Sequence, residues 1–228
     1  MLKLYFFLLG TILASFAGLV AFRLGAGQSP WSPGRSYCDH CQHRLAPWQL
    51  IPICGYLLQG GRCRYCQTPL PIFYPLSELL TGGAALVLCH TLSPYSAGIL
   101  LVLTSLVFLA STDHFYQFIY PAALSGLFPL GLLFRAACPG GWWPALVLFA
   151  ILLLFVLLFR SLGWGDLEFL TVLLLALGWY PTALVLLTAC LLTIIVNFHA
   201  PPPRHGRVPF MPELAFATGI IMLVMSPA

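Results

Sequence analysis

The chain has 228 residues, of which 60% are hydrophobic and only 7% charged, against about half apolar and a quarter charged in soluble proteins. Water is therefore not its main solvent, and apolar stretches near the roughly 20 residues a bilayer requires per helix make several spans the expectation. The formal charge of +4 is too small, and its basic residues too scattered, for a nucleic-acid partner, which requires a clustered basic stripe.

Residues 1–22 read as a first transmembrane helix, apolar from residue 4 after a single Lys3. The small residues near Ala14 and Ala17 resemble a signal-peptide cleavage region, but removal of a signal would put the next segment outside. That segment, residues 23–74, carries Arg23, Arg35, Arg44, Arg62 and Arg64, half of all the basic residues. Positive loops stay in the cytoplasm, so the first helix is expected to run from outside to inside and residues 23–74 to form a cytoplasmic loop.

Residues 75–228 read as a multi-span domain. Apolar stretches at 75–90, 96–112, 118–137 and 143–160 are separated by breaks such as Ser93-Pro94 and Pro139-Gly140-Gly141. Alternation puts Asp113, Arg160 and the turn Gly163-Trp164-Gly165-Asp166 inside. The run 167–198 is punctuated by Gly178-Trp179-Tyr180-Pro181, the pattern of a helical hairpin whose first arm is short. The loop 199–212, with Arg204 and Arg207, then returns to the cytoplasm, and 213–226 is the last span. The expectation is an all-α membrane protein of about eight transmembrane helices, both ends outside. Arg135 fits least well, near an outer end, where an arginine can snorkel.

In the loop, Cys38-Asp-His-Cys41 and Cys63-Arg-Tyr-Cys66 are separated by the 21 residues 42–62, close to the spacing of a tetrahedral zinc site. Four thiolates enclose and neutralise the ion, and such a closed site is structural. Disulfides or redox thiols are the alternative, which a cytoplasmic location disfavours. His40 and His43 stand beside Cys41 as competing ligands. Cys54 lies between the pairs, and Cys89, Cys138 and Cys190 read as packing residues.

Of six acidic residues, Asp113 and Asp166 both fall where an apolar helix meets the cytoplasmic side, an expensive position unless used. Taken singly, each reads as a helix cap. Together on one side of the membrane, with a glycine turn beside one of them, they read as a catalytic pair. Two adjacent carboxylates share one proton; the ionised member activates water and the protonated one donates to a peptide carbonyl. A transporter is the rival reading, with intramembrane aspartates binding protons or cations. It calls for acids nearer the midplane and an internal repeat, and neither is visible.

In this order the motifs resemble the type IV prepilin peptidases, in particular the compact ones of Gram-positive competence systems. Ala14-Ser15-Phe16 through Arg23-Leu24 is similar to the family's opening helix. The cysteine pairs, Ile51-Pro52 and Gly60-Gly61-Arg62 follow, then Phe73-Tyr74-Pro75-Leu76-Ser77-Glu78. Asp113 with Ile119 to Pro121 resembles the first catalytic motif, Gly163 to Asp166 the G-x-G-D motif, and Val208-Pro209-Phe210-Met211-Pro212 a proline-bracketed segment. The resemblance implies an intramembrane aspartyl endopeptidase in the bacterial cytoplasmic (inner) membrane, which removes the short basic leader from prepilin or pseudopilin precursors. It also implies N-methylation of the new amino terminus from S-adenosylmethionine in many relatives. Three positions depart from the pattern: Ala122 stands where an acid is usual, Glu168 where a lysine is, and Leu50 where an asparagine is. Methylation residues are therefore not carried over, and Glu78, inside an apolar helix, is expected to be structural or linked to methylation.

Overall fold

A computed structural model describes residues 1–30, 35–134, 142–159, 163–198 and 208–226. Arg135, Cys138, Arg160, Arg204, Arg207 and the break at 139–141 lie outside the described residues. Within them the chain is helical, with two isolated β-bridges and no strand. The helices are α1 (Leu2–Gly25), α2 (Cys54–Leu58), α3 (Phe73–Leu88), α4 (Pro94–Tyr116), α5 (Pro121–Leu124), α6 (Pro129–Phe134), α7 (Trp142–Phe159), α8 (Trp164–Leu177), α9 (Trp179–Phe198) and α10 (Met211–Met225). By length and composition, α1, α4 and α9 can each cross a membrane. The remaining expected spans coincide with shorter or broken apolar helices.

The differences from expectation have local causes. Residues 118–137, read as one span, are broken. Pro121 and Pro129 each open a short helix, α5 and α6, with a 3₁₀ turn between them, because proline lacks the amide that would continue the preceding turn. The stretch expected to end at residue 112 runs on to Tyr116 and stops where Gln117 turns left-handed at φ 52°, so Asp113 lies in the last turn of α4 rather than in a junction. The hairpin in 167–198 is present, and Gly178 at φ 88° makes its corner. Its first arm, α8, has 14 residues and reaches about 21 Å at 1.5 Å each.

A bundle without water cannot rely on the hydrophobic effect between its helices, so close packing of small residues holds them together. Helix α1 lies in the groove between α3 and α4. A Cβ on Gly82 would stand 2.6 Å from Thr11 Cγ2 and 3.0 Å from the Phe7 carbonyl oxygen, and one on Gly10 would meet Ala85 Cβ at 2.9 Å. Against α4, α1 lays Ala14 and Ala17 on Val107. Polar side chains inside the helices are satisfied locally: Thr104, Ser111, Thr171 and Thr218 each donate to the carbonyl four residues back at 2.7–2.8 Å, leaving no bare hydroxyl proton toward lipid. One core runs through the bundle, with Leu88 of α3, Leu109 of α4, Leu130 of α6, Phe169, Leu170 and Leu173 of α8, Val185 of α9 and Leu214 of α10 fully buried. By contrast, α7 buries Leu152 and Val156 and leaves Leu154, Leu157 and Leu158 exposed, so one face packs on protein and the other is an exposed apolar surface.

Gly82 and its neighbour Gly83 provide an internal control, since a Cβ on Gly83 meets nothing within 4 Å. Gly82→Ala is expected to destabilise the detergent-solubilised protein by about 1–3 kcal/mol through overpacking, read as a lower Tm. Gly83→Ala should leave Tm unchanged or raise it slightly.

Candidate active site and cysteine cluster

One end of the bundle gathers most of the chemistry. There the C-terminal end of α1 is fastened by two phenols: Tyr116 donates to the Phe22 carbonyl at 2.9 Å and Tyr120 to the Leu24 carbonyl at 3.0 Å. Phe73, at the start of α3, stacks on His114 with centroids 4.4 Å apart. These contacts bring the starts of α3 and α5 and the ends of α1 and α4 to the same level.

Asp113 is half-buried at this end. Its Oδ2 accepts the backbone N–H of Met211 at 3.0 Å, across 98 positions of sequence, and the Phe210 amide also donates to the carboxylate. Asp113 therefore caps a helix, as its single reading had it, but the helix is α10 rather than a neighbour in sequence. The free amides and dipole of a helix N-terminus favour negative charge there.

Asp166 is 8% exposed and stands in the first turn of α8, where its Oδ2 accepts the Gly163 amide at 3.2 Å. It caps its own helix from inside the turn. Gly163, at φ −70° and ψ 151°, is in a conformation open to any residue. Gly165 supplies room. A Cβ there would stand 2.6 Å from Ile119 Cδ1 and 2.9 Å from its Cβ, so only glycine lets α8 start against the segment that follows Asp113. The two aspartates, 53 positions apart by subtraction of their numbers, are brought to one end of the bundle by this packing of Gly165 on Ile119. Glu168, two residues further on, is exposed.

A third acid joins them. Glu213, in the first turn of α10, lies two residues after the amide that bonds to Asp113, and its Oε2 is buried with no hydrogen-bond partner among the described residues. Sequence reasoning passed over it as the first residue of a span, although an acid at the polar end of an apolar stretch is the same signal that picked out Asp113 and Asp166.

The cysteine loop is built from two copies of one turn. In each, the first cysteine's amide and carbonyl bond across the turn: Cys38 to the His43 carbonyl and Gln42 amide, Cys63 to the Thr68 carbonyl and Gln67 amide, all at 2.8–2.9 Å. Gln42 and Gln67 share a left-handed φ of 57°, and their side-chain amides close the turns on the Asp39 and Arg64 carbonyls. Cys38, Cys41, Cys63 and Cys66 converge, with sulfurs all within 4.8 Å of one another. Cys38 Sγ and Cys66 Sγ are 3.8 Å apart, about the edge of a tetrahedron with 2.3 Å metal–sulfur bonds, so the cluster fits a metal ion. The Thr68 hydroxyl, 3.3 Å from Cys66 Sγ, and the Thr68 amide hold that thiol down at about 6. Neither His40 nor His43 joins the cluster, and the His43 ring lies on Tyr65 with centroids 3.6 Å apart. The described cysteines, Cys54, Cys89 and Cys190 included, form no disulfide.

The loop is tied to the bundle by Glu78, 7% exposed in α3, whose Oε2 accepts the Ile53 amide at 2.7 Å while Ser15 of α1 bonds to the same carboxyl. Ile53 is held at φ 61°, a conformation a β-branched residue adopts only under constraint. Between α1, α3 and the loop opens a cleft of about 760 Å³, with Ser15, Asp39, Gln49, Tyr56, Gln59 and Glu78 in its walls. The aspartate pair is not among its lining residues.

Residues 8–92 match the Bacterial Peptidase A24 N-terminal domain and residues 100–198 the Type IV leader peptidase family. The chain is similar to proteins named prepilin leader peptidase/N-methyltransferase. Identity is 32% to that of Burkholderia pseudomallei (strain 1026b), covering 80% of this chain and 62% of the relative. It is 33% to that of Aeromonas hydrophila, covering 83% and 71%, and 31% to that of Pseudomonas aeruginosa, covering 82% and 71%. The chain thus spans less than two thirds of the Burkholderia relative's length. No solved structure matches it. With 33% identity over 71% of the Aeromonas relative and both family matches in their order along the sequence, the chain belongs to the type IV leader peptidase family.

Proposed function

We propose that the chain is an intramembrane aspartyl endopeptidase that cleaves the leader from prepilin or pseudopilin precursors, with Asp113 and Asp166 as the catalytic pair. The observation that carries this reading is that α8, whose first turn holds Asp166, starts against Ile119, six residues after Asp113, at a glycine that leaves no room for a side chain. One carboxyl, ionised, takes a proton from a water held between the pair as that water attacks the scissile carbonyl carbon. The other, protonated, gives its proton to the carbonyl oxygen; the tetrahedral intermediate collapses as the carboxyl that took the water's proton passes it to the leaving nitrogen and the other takes back the hydroxyl proton. The pair titrates as a unit, so neither residue has a fixed role. The comparisons lend the transporter alternative no support.

The same reading holds that all eight apolar segments cross the bacterial inner membrane, α5 and α6 together counting as one. The amino terminus is then outside, and the cysteine loop and both aspartates are on the cytoplasmic side. A precursor helix lying in the bilayer with its charged leader in the cytoplasm presents its scissile bond at that depth, so no helix has to be unwound at the midplane. The competence pseudopilins are the substrate class this reading favours. The four cysteines hold a structural Zn²⁺. They order a loop with little apolar core of its own, and through Glu78 and Ile53 that order is passed to α3.

A second activity is favoured by the relatives' names and by the cleft beside Glu78. Its volume lies in the range of small-molecule sites, and Asp39 and Glu78 offer negative charge to a sulfonium. S-adenosylmethionine, when bound there, supplies a methyl group for the new amino terminus.

Asp113→Asn and Asp166→Asn should each leave a folded membrane protein and lower cleavage of a coexpressed precursor by at least about 10³-fold, the scale of losing an essential acid–base group. Persisting cleavage in either variant overturns the assignment, and the mass of the product from the unchanged chain shows whether a methyl group has been added. Metal analysis under reducing conditions should find one zinc per chain. Cys63→Ser should lose it and lower Tm, while a metal-free wild-type chain of unaltered Tm would remove zinc from the account.

A further inference from the structure

The cysteine loop carries an apolar patch that the described residues leave uncovered. Leu50, Ile51, Leu57 and Leu58 are exposed, the last two at 67% and 70%, on the 3₁₀ turn Pro47–Leu50, on α2 and between them. Residues 45–61 hold no charge, and Arg44 and Arg62 bound them. Such a contiguous patch marks a surface with a partner.

The depth of the patch follows from its ties to α1 and α3. The charged residues of α1, Lys3 and Arg23, are twenty positions apart by subtraction of their numbers, about 30 Å of helix and so the thickness of a hydrocarbon core. Ser15 stands eight positions before Arg23, about 12 Å in from that end. It bonds to Glu78, which accepts the Ile53 amide at 2.7 Å, and Ile12, Ser15 and Phe16 share the walls of the cleft with Ile51, Pro52 and Ile53. The loop therefore folds back along α1 well past Arg23. Leu57 donates its amide to the Ile53 carbonyl at 3.1 Å, one turn and about 5.4 Å along α2, so α2 stays inside the level of Arg23 whichever way it points.

We propose that residues 45–61 form a re-entrant segment embedded in the cytoplasmic leaflet, with Leu50, Ile51, Leu57 and Leu58 resting on lipid acyl chains. The proposal rests on the reading of the apolar helices as membrane spans. Leu76, Leu79 and Leu80 of α3, on the turns either side of Glu78, are exposed as well, so one bilayer covers both surfaces. Backbone groups inside a bilayer must be satisfied within the protein, and this segment meets that demand largely from its own residues. The amides of Gly55, Leu57, Gly60 and Gly61 bond to the carbonyls of Ile51, Ile53, Leu57 and Tyr56 at 2.7–3.1 Å. Its two glutamines close on each other: Gln49 Nε2 donates to Gln59 Oε1 at 2.8 Å, Gln59 Nε2 to the Gly55 carbonyl at 2.7 Å, and Gln49 Oε1 accepts the Ala46 amide at 2.7 Å. Gly55 permits this fold, since a Cβ there would overlap the Gln49 carbonyl. Arg64, whose guanidinium lies 5.6 Å from the centroid of the Trp48 ring, marks the return to water with the basic and aromatic groups of a membrane interface.

The test is quenching in the full chain, one copy per lipid nanodisc and without precursor, with a fluorescent amino acid placed in turn at Leu57, at exposed Leu101 of α4 and at exposed Tyr65 of the cysteine cluster. Bromine on the acyl chains should quench the label at Leu57 as it does at Leu101, and aqueous iodide should quench it at Tyr65 alone. Iodide quenching at Leu57 equal to that at Tyr65 overturns the proposal, leaving the patch in water and open to a precursor's apolar helix. Quenching there by neither agent overturns it too, since protein then covers the patch. A label at Leu101 that bromine does not reach defeats the membrane placement of the bundle and this proposal with it, whereas Leu101 quenched and Leu57 not defeats the re-entrant segment alone. If the label at Leu57 prevents folding, hydroxyl-radical footprinting of the unchanged chain in the same nanodiscs decides: Tyr65 oxidised with Leu57 and Leu58 spared supports the proposal, and oxidation of all three overturns it.

Discussion

The hydrogen bond from the Met211 amide to Asp113 Oδ2, 3.0 Å long and spanning 98 positions, joins the last turn of α4 to the first turn of α10. It meets two demands of a bilayer protein at once. A helix N-terminus has amides without partners, and an acid at the edge of an apolar bundle has lone pairs without donors. Each satisfies the other, and the acid is fixed in place. Asp166 meets the same demand within one turn by bonding to Gly163. A carboxylate that caps a helix is thus not an alternative to one that works in a reaction, since the cap is what holds it in position.

This explains how the site was partly legible before any coordinates. The two aspartates stand out because only six acids exist and these two end apolar stretches. The cysteine pairs stand out by spacing, and their convergence agrees with the cluster read from it. The glycine turn drew attention to Asp166, and the packing of Gly165 on Ile119 became visible only in the fold. Other features have no local signature. That Asp113 bonds to α10 is a tertiary fact, and Glu213 looked like the first residue of a span because the prolines around it read as a loop ending. Helix ends were misjudged where proline acts through its missing amide, at Pro121 and Pro129, and where a left-handed cap at Gln117 let α4 run past the acid.

The cysteine loop and the bundle are coupled by few contacts of high value. Glu78 spans them, receiving the Ile53 amide from one side and Ser15 from the other, and it holds Ile53 in a backbone conformation that would otherwise be abandoned. The loop is otherwise self-contained, two equivalent turns facing each other across four sulfurs. A metal holding those sulfurs would fix the spacing of the turns, and the cleft between loop, α1 and α3 would take its shape from that spacing. The cleft shares α3 with the aspartate end, where Phe73 stacks on His114 beside Asp113.

The proposed chemistry requires the side chains at 113 and 166 to lie close enough to share a water in the membrane-embedded protein. A chain carrying Asp113→Cys and Asp166→Cys, with Cys54, Cys89, Cys138 and Cys190 replaced and Cys38, Cys41, Cys63 and Cys66 kept, allows that to be measured in native membranes. Rapid bridging by mild oxidant or by the shortest bifunctional thiol reagent, with neither single-cysteine chain bridged, is the outcome that agrees with a working pair. Reactivity of both thiols to single-ended reagents, with no bridge formed by any reagent short enough to span a shared water, would mean that the two carboxyls never meet.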